Sequence, residues 1–249
     1  VEAIMRLNPF WRRAAILAAG ALASSAALAG DFGELLNGPG SGHVNLHPSR
    51  DVWIGVTGVP NVALPRGKNA IRFAVIDSGV LLDHPQLRGL IVATRDFSGE
   101  GISDRDGHGT VDAIIATMAQ ALVEPEKKES DFEFLIAKVT RTKDGKTAPM
   151  RSAVIAAIKW AAENKAKVVN LSLGFQDDEA DNAELCKTIA DLKDISFFAA
   201  AGNSGPQIRE FPAACESPNM TSVGLSAPWS GYGQVIMPGD GSIGLTRLK

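Results

Sequence analysis

Cysteine is nearly absent from this chain, with Cys186 and Cys215 the only two among 249 residues. That excludes a small scaffold stapled by many bridges and leaves one possible intramolecular disulfide. The alternative is a pair of buried thiols acting as small hydrophobes. Excess positive charge is also lacking. The formal charge is −3, and Glu2 against Arg6, Arg12 and Arg13 makes the first 29 residues +2, leaving −5 on the rest. A mildly acidic body excludes nucleic acid as the main partner. The chain has no internal repeat. Its glycine-rich stretch, Gly38 to Gly42, follows no strand and has no lysine at the spacing of a phosphate loop, so it reads as linker.

What is present begins with a leader. Met5 to Arg13 is basic, Ala14 to Ala23 is apolar or small, and Ala27-Leu28-Ala29 is an A-x-A cleavage signal before Gly30. This is the layout of a secretory signal peptide, with the apolar run too short to span a bilayer. The expected location is secreted or periplasmic, with no membrane contact after cleavage between Ala29 and Gly30. Residues 30–66 are expected to be an N-terminal linker that holds His43 and His47, and residues 67–249 the folded domain.

Within that domain, strand and helix patterns alternate. Strands are expected at Ile71–Ile76, Phe132–Val139, Val168–Leu173, Ile195–Ala200, Thr221–Leu225 and Gln234–Met237. Helices are expected at Gly109–Leu122, Arg151–Asn164 and Asn182–Leu192, the second with Val154, Ile155, Ile158 and Ala162 on one face. The order predicts βαβ units and an α/β fold of three layers, a mostly parallel sheet with helices on both faces. The strands are continuous apolar runs, as a sheet covered on both faces requires. The charged stretches Glu124–Glu129 and Asp177–Glu184 read as solvated loops, and the second matches no defined calcium loop.

Ligands of an open parallel sheet bind beyond the carboxyl ends of its strands. Asp77 ends the strand FAVIDSG, Ser172-Leu173-Gly174 end VVNLSLG, and Asn203 follows FFAAAG. DRDGHGT places His108 at a helix start. Singly, such residues are ordinary: an aspartate after a strand is often a cap or turn former, and an asparagine between glycines a turn. Together, an acid, a histidine and an amide on one rim are half of an acyl-transfer site.

These segments carry a family resemblance. AVIDSGV with LDHPQLRG resembles the aspartate segment of the subtilisin-like serine proteases. DGHGT resembles their histidine segment, NLSLG their substrate-binding strand, AAAGNSG their oxyanion-hole segment, and QVIMPGDGSI the segment before their serine. All five stand in the family's order between Trp53 and Ile243. The resemblance implies that Asp77 orients His108, that His108 is the general base and acid, and that Asn203 donates to the oxyanion. It further implies that Ser172, Leu173 and Gly174 receive a polypeptide substrate in extended conformation. His84, in the family's His-Pro pair, is expected to be structural. The resemblance leaves calcium open as a cofactor, but no metal site is assignable and no other cofactor is identified.

Two departures stand out. The family's HGTHVAG reads HGTVDAI here, so Asp112 and Ile114 intrude near His108. No G-T-S segment occurs, and Ser242 is the nearest serine to the Met237-Pro238-Gly239 segment. The expectation is therefore a secreted serine endopeptidase whose chain as given lacks its nucleophile. The alternatives are an inactive relative that binds extended peptides and a truncated remnant.

Overall fold

The computed structural model describes residues 64–237, apart from positions 125, 145, 177–178, 226–229 and 232. The expected leader, almost all of the expected linker and Ser242 lie outside the described residues. Nine strands and three α-helices follow in chain order among the described residues. They are β1 (Arg66–Asp77), β2 (Ile91–Asp96), α1 (His108–Val123), β3 (Ser130–Lys138), β4 (Thr140–Lys143) and β5 (Lys146–Pro149). Then come α2 (Arg151–Glu163), β6 (Val168–Leu171), α3 (Ala183–Asp191), β7 (Ser196–Ala200), β8 (Met220–Leu225) and β9 (Val235–Met237).

Seven strands form one sheet in the order β2-β3-β1-β6-β7-β8-β9, and every adjacent pair is parallel. β1 shows why its sequence is continuously apolar. Phe73 and Val75 enter a core shared with Ala113, Ile114 and Ala116 of α1. Ala74 and Ile76 enter the opposite core, with α2 and α3. All four side chains are fully buried, because successive side chains of a strand point to opposite faces and both faces are covered. The three-layer α/β expectation matches this arrangement.

The boundaries differ from the sequence reading in specific ways. β1 begins at Arg66, earlier than Ile71, because its first turns are half-exposed and lack an apolar signal. β2 and the β4–β5 hairpin were not anticipated: IVATRD is largely half-exposed at the sheet edge, and TRTK and KTAP are mostly exposed. β6 stops at Leu171, so Ser172 and Leu173 lie beyond the strand. On α2, Val154, Ile155 and Ile158 are buried as expected, whereas Ala162 is only partly so. No helix among the described residues is long and apolar enough to cross a membrane.

Two features of the topology position the site. From β1 the chain leaves toward β2 on one side, whereas from β6 it leaves toward β7 on the other. The crevice of such a sheet opens beyond the carboxyl ends of the two strands where the direction reverses, here β1 and β6. The crossovers through α1, α2 and α3 all step in the same direction across the sheet, yet α1 packs on the opposite face. Its crossover therefore has the opposite hand from the other two, a departure from the strong uniformity of parallel connections. That placement sets the first residue of α1 above the end of β1.

Candidate active site

The end of β1 and the start of α1 meet through short polar contacts. Nδ1 of His108 lies 2.9 Å from Oδ1 of Asp77. The same oxygen accepts from the Ser78 backbone N–H at 2.6 Å. Asp77 is buried, while the His108 side chain keeps 21% of its surface and so faces the crevice.

Asp104, which the sequence reading passed over, locks the approach. Its buried carboxylate accepts from Ser78 Oγ and the backbone of Asp106 and Gly107 through one oxygen, and from the Thr110 N–H and hydroxyl through the other. Ser78 Oγ in turn accepts from the Gly109 N–H. The orphan N–H groups of the first turn of α1 thus end on Asp104 and Ser78, which fixes the helix start that carries His108. An acid four residues before the helix start was the available signal.

Asp112 lies one helical turn beyond His108 and is fully buried. Its Oδ2 accepts from the Asn170 amide on β6 at 3.1 Å, and the same amide donates to Ser172 Oγ at 2.8 Å. Asp77 Oδ2, Asp112 Oδ1 and Asn170 Oδ1 are buried and accept no hydrogen bond among the described residues. A buried acceptor left so costs about 1–3 kcal/mol, so this corner of the site favours an extra proton.

The electrostatics point the same way. Burial lowers the His108 imidazole, but the carboxylates of Asp77 and Asp112, the hydrogen bond to Asp77 and nearby Asp106 outweigh it and push it up to about 10. Burial raises Asp112, opposed by the charge of His108 and reinforced by that of Asp77. Asp77, His108 and Asp112 also form the one group among the described residues with donor atoms close enough, within 4.8 Å, to surround an ion. With Nδ1 already engaged by Asp77 and the imidazole favouring its proton, the chemistry of this trio is acid–base.

The remaining expected residues line the same rim. Ser172, Leu173 and Gly174 follow β6, half-buried, and have no backbone–backbone hydrogen bond outside the sheet ladder among the described residues. Asn203 is exposed beyond β7, two strands from β1 or about 10 Å at ordinary strand spacing. Its side chain makes no hydrogen bond to Asp77 or His108 among the described residues. The structure therefore joins Asp77 to His108, ties Ser172 to them through Asn170 and Asp112, and leaves Asn203 on the rim. His84 is buried, and its ring accepts from the Gln86 N–H at the start of a short 3-10 turn, as expected of a structural residue.

The Subtilase family model matches residues 68–245, well over half of the chain. The chain belongs to the subtilase family. Among similar proteins are the major intracellular serine protease of Bacillus subtilis, 30% identical over 56% of this chain and 44% of the relative, and the thermophilic serine proteinase of Bacillus sp. strain AK1, 31% identical over 70% of this chain and 45% of the relative. The fold resembles that of the epidermin leader peptide processing serine protease of Staphylococcus aureus, with TM-score 0.51, 21% identity, and coverage of 70% of this chain and 53% of that one. This subtilase chain spans less than half the length of those curated relatives.

One further residue of this subtilase escaped the sequence reading. The Glu210 carboxylate sits between the two rim segments: a Cβ on Gly174 would stand 2.5 Å from its Oε2, and one on Gly202 2.2 Å from its Cδ. Its Oε1 accepts from the Asn203 N–H at 3.3 Å. Backbone bonds between Phe175 and Phe211 hold the two segments together beside it. Glu210 makes no ion pair among the described residues; its neighbour Arg209 turns instead to Ala214 and Glu216. No motif marks Glu210, because its position depends on a loop folding back across two glycines.

Proposed function

We propose that this chain carries the acid–base half of a serine endopeptidase that cleaves extended polypeptides by acyl transfer. The observation that supports it most is the 2.9 Å contact between the buried Asp77 and the half-buried His108 at the crevice. Asp77, accepting from Nδ1–H, sets the tautomer and leaves Nε2 free to take a proton from a serine hydroxyl. His108 then returns that proton to the leaving amine, while Asn203 donates to the oxyanion. The backbone at Ser172–Gly174 receives the substrate as an added strand. Glu210, unpaired between Gly174 and Gly202, favours a basic side chain in the peptide. Export is part of the reading, supported by the three-part leader and by a disulfide suited to an oxidising compartment.

Among the described residues no serine hydroxyl bonds the His108 ring. The test therefore has two arms. Addition of an extended peptide should shift the amide signals of Ser172 to Gly174 and the ring signals of His108; shifts confined to other surfaces would overturn the proposal. A fluorophosphonate probe should label a serine once a G-T-S segment is joined to the chain, and not when His108→Ala is made in that longer chain. A chain that binds peptide yet takes no label has recognition without hydrolysis, which is the reading of an inactive peptide-binding relative.

A further inference from the structure

The family pattern puts an apolar residue where this chain has Asp112, and the function above makes no use of it. Asp112 and His108 stand four apart on α1, hence on one face. An oxygen of Asp112 lies within 4.8 Å of both a ring nitrogen of His108 and an oxygen of Asp77. Its carboxyl has no access to water, and its hydrogen bonds come from the Asn170 amide and the Ser172 hydroxyl, both neutral groups. A fully buried carboxylate with only neutral donors is unfavourable unless it is protonated or faces a cation. The cation within reach is the imidazolium.

We propose that Asp112 is a second acid partner of His108: the imidazole works between two carboxylates, Asp77 on β1 and Asp112 on its own helix, and exchanges its proton as a unit with Asp112. Asp112 is a positioning residue, acting on substrate only through His108 and through the Asn170 amide that also holds Ser172. The other charged groups nearby do not replace it. Asp106 adds a weaker attraction from the loop before α1. Asp104 is consumed by the helix start, and Lys138 on β3 donates to the Ser103 carbonyl. The catalytic consequence rests on the endopeptidase reading: His108 is free to act as a base only once the pair has released its last proton, which places activity at alkaline pH. The pairing itself does not depend on that reading.

The test follows the His108 ring nitrogens and the Asp112 carboxyl carbon by NMR in the intact protein across the pH range in which it stays folded. Both probes should report the same macroscopic midpoints, as coupled sites do. In Asp112→Asn and Asp112→Val the His108 midpoint should fall by about 1–3 pH units, the shift produced by removing an opposite charge at this range. An unchanged His108 midpoint in either folded variant would overturn the proposal. So would a wild-type Asp112 carbon that titrates independently of the ring, a measurement that needs no variant to fold. Neither readout requires turnover, so a missing hydrolytic activity would leave this result standing and a failed pairing would leave the endopeptidase reading standing.

Discussion

Gly109 lies backbone against backbone on Gly79: a Cβ at Gly109 would stand 2.5 Å from the Gly79 carbonyl oxygen and 3.0 Å from the Cβ of Asp77. The second residue of α1 thus seals the helix start onto the end of β1, and the Asp77–His108 distance follows from that contact. Gly109→Ala must push the two apart. The expected cost is about 1–3 kcal/mol, typical of overpacking a tight contact. It should appear as a lower denaturation midpoint together with loss of the His108 Nδ1–H signal of the Asp77 bond.

Asp104 makes a second, independent clamp. Asp104→Ala strips the acceptor from backbone donors of the loop and first turn and leaves them buried. We expect a loss of about 2–4 kcal/mol in urea unfolding, a lost cap plus unsatisfied N–H groups. Asp104→Asn should be milder, since one oxygen still accepts. A variant as stable as the wild type would show that this carboxylate does not hold the helix start.

The stability of the protein should fall as pH rises. His108 is raised in the folded state from 6.5 to about 10, so the folded protein binds the proton more tightly than the unfolded chain. That contribution is complete below about pH 6.5 and is lost as pH climbs through about 10. The raised Asp112 acts in the same direction at lower pH. Urea titrations at stepped pH should show the decline, and His108→Gln should flatten it. A wild-type curve that is level through the alkaline range would contradict the assignment.

Cys186 on α3 and Cys215 in the loop before β8 are joined, with Cα atoms 5.2 Å apart and a sequence separation of 29. The structure thereby decides between the bridge and the two free thiols. Closing a loop of this length stabilises by about 3–4 kcal/mol in the chain-entropy account. Cys186→Ser with Cys215→Ser, or reduction, should lower the unfolding free energy by that order. Indifference of the unfolding midpoint to reductant would argue against a closed bridge.

Glu210 supplies a prediction about recognition. Peptides carrying Lys or Arg should bind the crevice more tightly than the same peptides carrying Glu. In Glu210→Gln the preference should shrink by roughly two- to fivefold, equivalent to about 0.5–1 kcal/mol for a partly exposed ion pair. Fluorescence polarisation with matched peptides measures it, and an unchanged preference would remove Glu210 from substrate selection.

Apolar periodicity and short polar motifs already determined much of this protein. The central strands β1, β3, β6 and β7 are buried on both faces, so their sequences can only be runs such as FAVI and FLIA, and the runs place Asp77 and Ser172 at strand ends without coordinates. The motifs DSG and HGT likewise marked Asp77 and His108, whereas the close backbone approach at Gly79 and Gly109 is visible only in the structure. Edge elements such as β2 and β4–β5 were illegible because an exposed strand carries no apolar signature. The tertiary structure decided what depends on contacts between residues distant in sequence: Asp104 spent on a helix start, Cys186 against Cys215, and Glu210 folded back between Gly174 and Gly202. It also decided the meaning of Asp112. In sequence Asp112 is only a charge within a helix of apolar pattern, and its role exists because α1 packs on the face of the sheet opposite α2 and α3, which brings its side chain to Asn170 on β6.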